Sequence, residues 1–267
     1  MGGLHAGHEA LFKQSIAAHD KTVVSIYVNP LQFGPQEDFK TYPRPILGDT
    51  IRLQPYERHI HVWRPTDRMI YPNGLDQAIK LDTGALGQRW CGQMRPQFFN
   101  GVATVVLKLC LQVRPSHLYL GEKDYQQYRV IQQLFTDFAI PVKLVLCPTV
   151  READGLAFST RNQYLSPDDR ALAPVGYAAI QAMQRAFCAG EVDADTLVQL
   201  GRDQLHQVKI AYLGIADAQT LVPISGPVSD TDRIMLAFTI NQTRLIDNAP
   251  LLDPDRSLSL YYKSGGD

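Results

Sequence analysis

A surplus of charge of one sign is what this sequence most clearly lacks: 26 lysines and arginines stand against 27 aspartates and glutamates, a formal net charge of −1. Nothing is left over to draw the chain onto a nucleic-acid backbone or an anionic membrane, so neither is expected as a partner. Cysteine is sparse and scattered. Cys91, Cys110, Cys147 and Cys188 form no CxxC pair and have no nearby histidine at zinc-finger spacing. A disulfide framework and a structural zinc site are thereby excluded, and the four are read as reduced, mostly buried thiols. Long apolar runs are missing as well. The most apolar stretch, "VATVVLKLCLQV", is broken by Lys108, and the first residues show neither a basic start before an apolar run nor a cleavage site. A cytoplasmic protein without a membrane segment is the expectation. Internal repeats and low-complexity tracts are also lacking.

What the sequence does hold is core material: 267 residues, 45% of them hydrophobic, suffice for one or two domains. "EALFKQSIAAHD" sets Leu11, Phe12, Ser15 and Ile16 at helical spacing, and "TVVSIYV" then reads as a short β-branched strand. The alternation recurs. "HIHVW" predicts a strand, residues 98–113 a helix, "HLYLG" a strand, then a helix with Tyr128, Ile131, Leu134, Phe135 and Phe138 on one face, and "VKLVLC" another strand. Apolar strands alternating with helices predict a parallel sheet covered on both faces, whose ligands bind beyond the carboxyl ends of the strands. Near Ser166, "SPDDRA" offers an N-cap serine, a proline for the first helical position and two acids that suit the helix dipole. A second unit is expected to begin there. Pro174 either kinks that helix or marks its true start, Gly190 ends the segment, and "KIAYLGIAD" and "RIMLAFTI" predict strands around a "PISGP" loop. The expected division is therefore 1–165, a smaller α+β unit at 166–256, and a tail at 257–267.

Four stretches carry chemistry. "MGGLHAGH" sets His5 and His8 at a helix start, where imidazoles and unpaired amides can hold phosphate, and Gly7 is read as leaving room for a polyphosphate against the backbone. "GEKDYQQ" places Lys123 between a strand and a helix, at the carboxyl edge of the sheet. "FSTRN" adds two hydroxyls and Arg161, whose guanidinium suits bidentate phosphate contact. "VNPLQFG" brings Asn29 and Gln32, amides that read hydroxyls and carboxylates. Taken singly these could be surface histidines, a solvated turn, and a polar loop whose Arg161 pairs with Glu152 or Asp154. Together they point to one rim of one sheet.

Those stretches, with "VNPLQFGPQEDFKTYPR", "PTVREADGLAFSTRNQYLS" and "TRLIDN", run in order from Met1 to about Asn248. They resemble the pantoate beta-alanine ligase family of the HxGH nucleotidyltransferase superfamily. The resemblance implies a Rossmann-like α/β fold with a smaller α+β C-terminal domain. It also implies an enzyme that joins pantoate to beta-alanine with ATP and Mg2+, through an enzyme-bound pantoyl adenylate. Met1, Gly2, Gly3, Leu4, His5, Ala6, Gly7 and His8 would wrap the phosphates, His8 acting as proton donor. Gly121, Glu122, Lys123 and Asp124 would contact the nucleotide, with Lys123 on phosphate and Asp124 on the ribose side. Val150 with Phe158, Ser159, Thr160 and Arg161 would close over adenine and phosphates. Catalysis would fall to His5, His8, Lys123, Ser159 and Arg161, and substrate holding to Gln32, Gln127 and Asn29; no metal-ligating residue is nominated.

The resemblance further implies a homodimer and a strand running directly into "MGGLHAGH". That strand is not in this sequence, and the true start is expected upstream. Cys91 stands where the family carries glutamate and Phe98 where it carries histidine, while Pro45 and Pro55 shorten an expected helix. "SLYYKSGGD" reads as the start of a linker, to which a fused C-terminal domain could attach. Two other readings stay open at this point, a nucleotidyltransferase with another acceptor and a homologue that binds nucleotide with little turnover.

Overall fold

Helix α1 (Ala6–Ala18) begins at the histidine pair, with His5 as its extended N-cap residue, and leads into β1 (Thr22–Ser25). A 3-10 turn at Pro30–Gln32 and helix α2 (Ile46–Leu53) follow, and β2 (Ile60–Trp63) then runs parallel to β1, with Thr22 opposite Ile60 and Ser25 opposite Trp63. The two prolines confine α2: Pro45 is its N-cap residue and Pro55 lies in the 3-10 turn that ends it. Short helices α3 (Asp67–Ile70), α4 (Gly84–Gln88) and α5 (Cys91–Met94) precede the long α6 (Phe98–Val113). Next come β3 (His117–Gly121), α7 (Tyr125–Asp137) and β4 (Lys143–Cys147), a parallel βαβ unit with His117 opposite Lys143. The computed structural model describes residues 1–35 and 37–252. The tail expected at 257–267, and the end of the segment expected at 166–256, lie outside the described residues.

The chain is thus α/β with parallel pairing, but among the described residues the four parallel strands form two separate pairs, β1 with β2 and β3 with β4. Helix α1 packs against both β1 and β3: Ser15 shares a 2.9 Å hydrogen bond with Thr22, and His19 Nε2 lies 3.0 Å from the Tyr119 hydroxyl. Each of these four strands has one strand neighbour among the described residues. Burial on both faces is correspondingly incomplete. Val23 and Val62 are each 43% exposed, and β3 is half-buried along its whole length. The apolar face of α7 is formed by Ile131, Leu134 and Phe135; Phe138 falls beyond the helix end and is exposed.

The remaining elements are α8 (Pro167–Leu172), α9 (Val175–Cys188), α10 (Ala194–Gln204) and an antiparallel sheet of β5 (Lys209–Ala216), β6 (Arg233–Ile240) and β7 (Thr243–Pro250), with β6 central. Ser166 caps α8 by accepting the Asp169 amide at 3.2 Å, and Pro174 is the N-cap residue of α9, so the proline marks a helix start and not a kink. Ile180, Met183, Leu197, Ile234, Leu236 and Phe238 close the core of this sheet and its helices. Helix α9 approaches so closely that a Cβ on Gly176 would lie 2.5 Å from the Phe238 ring. Two compact units divide the chain: Met1–Val150 with Phe158–Thr160, and Arg151–Ala157 with everything from Arg161 on. The division precedes Ser166 because the serine marks where α8 starts, whereas the unit is defined by what its side chains pack against. All four cysteines are free, Cys91, Cys110 and Cys147 buried and Cys188 exposed.

Candidate active site

The loop entering α1 is shaped by two consecutive glycines in the left-handed region, Gly2 at φ +107° and Gly3 at φ +63°. The Gly3 and Leu4 amides donate to the two carboxylate oxygens of Asp49, at 3.1 and 2.7 Å, and Asp49 sits buried in the first turn of α2. From the other side the Thr160 hydroxyl donates to the Gly3 carbonyl at 3.1 Å. A Cβ on Gly3 would stand 2.5 Å from the Thr160 methyl, so no other residue fits. The His5 and His8 rings lie 4.0 Å apart, His5 stacks at 6.0 Å on Phe158, and the His5 amide donates to His8 Nδ1 at 3.3 Å. Gly7 is close-packed. A Cβ there would meet the His5 ring at 3.0 Å, so the absent side chain makes room for the imidazole.

Burial, then the positive charge of Lys123, pulls the His5 pKa down to about 4, and burial followed by His5 itself holds His8 well below the ordinary imidazole range. Both rings are neutral at pH 7 in the unliganded protein, each with one N–H to donate. Lys123, in the 3-10 turn Glu122–Asp124 that ends β3, bears on both histidines, with its ammonium 3.8 Å from the Asp124 carboxylate. Two imidazoles and an ammonium thus lie within electrostatic reach of one another at the start of α1. Phe158 is held beside His5 by its backbone N–H, which donates to the Val150 carbonyl at 3.1 Å. Ser159 and Thr160 follow on the same unit, while Arg161 belongs to the second. Arg170 is the partner of Glu152 and Asp154, at 2.7 and 2.6 Å.

A neutral buried imidazole makes stability depend on pH, with a definite sign. Because the folded His5 pKa lies below the unfolded one, stability from keeping the ring neutral is complete above pH 6.5 and is lost as pH falls toward 4. We expect a loss on the order of 2 kcal/mol for this partly exposed ring. Urea midpoints between pH 7 and 4 read it, and His5→Gln should make the profile shallower while His8 keeps its own share; an unchanged slope in that variant would show that the His5 proton does not contribute.

The two amides after β1 have opposite fates. Asn29 is fully buried: it donates to the Gly101 carbonyl at 3.1 Å and accepts the Tyr71 hydroxyl at 2.7 Å, so it staples this loop to α6 and does not face a ligand. Gln32 is buried less completely, at 8% exposure, and its carbonyl accepts from Arg95 at 3.0 Å. Arg95 also grips Glu37 bidentately, at 2.6 and 2.5 Å, and lies 3.7 Å over the Phe98 ring. The aromatic residue where the family has histidine thus stacks on a guanidinium. In "QQ" the buried Gln126 accepts the Cys91 amide at 3.1 Å and donates to the Leu86 and Arg89 carbonyls, leaving the half-buried Gln127 as the candidate for substrate. Cys91 thus joins this network through its backbone amide. Asp49, Arg95, Glu37 and Gln126 escape sequence reasoning because each acts through a distant segment.

The family model described as pantoate-beta-alanine ligase matches residues 1–250. The pantothenate synthetase of Herpetosiphon aurantiacus is 44% identical over 253 residues, covering 93% of this chain and 90% of that protein. A bifunctional pantoate ligase/cytidylate kinase of Synechococcus elongatus is 43% identical over 255 residues, which are 94% of this chain and 48% of the relative. Among solved structures, pantothenate synthetase from Thermus thermophilus superposes with a TM-score of 0.89 at 40% identity, covering 95% of this chain and 91% of the other. Pantoate-beta-alanine ligase from Francisella tularensis, complexed with beta-gamma ATP and beta-alanine, gives 0.74 at 33% identity, covering 94% and 87%.

Proposed function

The chain belongs to the pantoate-beta-alanine ligase family, and we propose that it joins pantoate to beta-alanine with ATP by way of a pantoyl adenylate. A carboxylate is a poor electrophile, so the pantoate oxygen first attacks the α-phosphorus, pyrophosphate leaves, and a mixed anhydride with AMP results. The amine of beta-alanine then attacks the acyl carbon and AMP departs. No protein nucleophile takes part, and rate comes from positioning and from stabilising phosphate charge.

The observation that carries this reading is the contact of the His5 and His8 rings at the start of α1, within electrostatic reach of Lys123. Neutral imidazoles donate N–H bonds to phosphate oxygens as negative charge grows, His8 foremost, and Lys123 adds a point charge. Ser159 adds a phosphate contact, Val150 and Phe158 cover the adenine, and Gln32 and Gln127 hold pantoate. Mg2+ arrives on the triphosphate. Among the described residues no three His, Cys, Asp or Glu side chains cluster to hold a metal. Glu122, a hard oxygen donor beside Lys123, would hold it, and the ion would neutralise the leaving pyrophosphate.

A homodimer in the cytoplasm completes the proposal. No helix among the described residues is long and apolar enough to cross a membrane, and α2 exposes Ile46, Leu47 and Ile51, an apolar face suited to a second copy. The experiment is isotope exchange of pyrophosphate into ATP, together with sedimentation of the purified chain for the dimer. Exchange is expected only with pantoate present, and AMP release only once beta-alanine is added. Exchange indifferent to pantoate, or nucleotide binding with no exchange, overturns the ligase reading.

A further inference from the structure

We propose that Asp49 is a positioning residue that, with Thr160, sets the entry loop of α1 in its phosphate-binding shape before any nucleotide arrives. The inference rests on the ligase reading above for its substrate, but its geometry is independent of it. Asp49 is 3% exposed, and a carboxylate so buried is tolerated only when its oxygens are hydrogen-bonded. Its two oxygens take the amides of two successive residues, Gly3 and Leu4. Thr160 holds the Gly3 carbonyl, so both hydrogen-bonding groups of Gly3 are fixed and the residue is locked at φ +63°.

Two consequences follow for phosphate binding. The Gly3 and Leu4 amides are occupied, so phosphate recognition passes to the first amides of α1 and to the imidazoles. The next residue along is His5, whose backbone starts α1 and whose ring sits in the space left by Gly7. The direction in which Gly3 delivers the chain therefore sets where His5, the helix start and His8 point. A carboxylate close to an anion-binding loop would oppose triphosphate by its charge alone. Its presence is explained by the hydrogen bonds it accepts, because only a carboxylate offers acceptors on both oxygens to two neighbouring amides. Asparagine keeps the shape but turns an NH2 group toward one of them.

Asp49→Asn separates the two roles. If the carboxylate positions the loop, pantoate-dependent pyrophosphate exchange falls between about 10- and 100-fold although a repelling charge has been removed, and the KM for pantoate stays within about threefold. Thr160→Val should lose activity in the same sense, while Thr160→Ser, which keeps the hydroxyl, should restore most of it. Amide hydrogen exchange at Gly3 and Leu4 in the unliganded protein should lose protection in Asp49→Asn. Folded Asp49→Asn exchanging pyrophosphate at the wild-type rate, or Thr160→Val indistinguishable from Thr160→Ser, overturns the proposal; should Asp49→Asn not fold, the threonine pair decides. If the wild-type chain itself shows no pantoate-dependent exchange, the ligase reading fails. The positioning role is then decided by ATP binding and amide protection, wild type against Asp49→Asn.

Discussion

Replacing His8 with alanine is expected to slow formation of the acyl adenylate by about 10²-fold or more, and replacing Lys123 with alanine to do the same, the scale of losing one preorganised donor. The reason is where charge appears. In the proposed reaction negative charge would grow on oxygens that a neutral, half-buried His8 in ring contact with His5 could meet without reorganising. Lys123 would act on that same charge from the end of β3, within electrostatic reach of both rings. Since both groups serve one developing charge, the double variant should lose less than the product of the single losses. Single-turnover release of pyrophosphate at saturating ATP and pantoate is the measurement. Near-wild-type rates in both variants would remove these residues from the chemistry.

The second large effect is on folding. Arg151 and Asp247, nearly a hundred residues apart in sequence, form a bidentate pair at 2.6 and 3.0 Å within the second unit. The guanidinium also donates to the Gly155 carbonyl at 3.1 Å and lies 4.1 Å over the Tyr177 ring, while Asp247 accepts the Asn248 amide at 2.8 Å. Asp247→Ala would leave a largely buried guanidinium without its carboxylate, and a loss of about 3 kcal/mol is expected, the lower end for a buried pair because Arg151 is 17% exposed. The double variant Arg151→Met, Asp247→Leu should recover much of that loss by replacing charge with packing. Urea denaturation distinguishes the cases, and a change below about 1 kcal/mol in Asp247→Ala would mean that the pair contributes little.

How much of this was legible in the sequence depends on the range of the interaction. Helix α6 and strand β3 match their expected bounds, since apolar spacing and β-branched runs are local signals. Ser166 likewise announced α8. Helix α10 was overlooked although Asp193 caps it at the Thr196 amide, and β7 was read only as a motif. The histidine loop and Lys123 were visible because phosphate chemistry has a recognisable local grammar. Asp49 was not, because nothing near it in the chain shows that it will meet Gly3 and Leu4. Asn29 and Gln32 make the same point within one loop: both side chains are amides, three residues apart, yet only Asn29 is bonded by Tyr71 and to Gly101. Gly7 was noticed for its small size, but only the folded backbone shows that the His5 imidazole needs the room.

The burial of three thiols out of four has a practical outcome. Burial pushes Cys110 and Cys147 up to about 11, and Cys147 is further engaged by Gln14, so neither ionises near neutrality. Cys188, at the C-terminal end of α9, is the exposed one. A maleimide dye added to the native protein would therefore settle on one sulfur per chain, tagging the α+β unit while the phosphate loop keeps its native side chains.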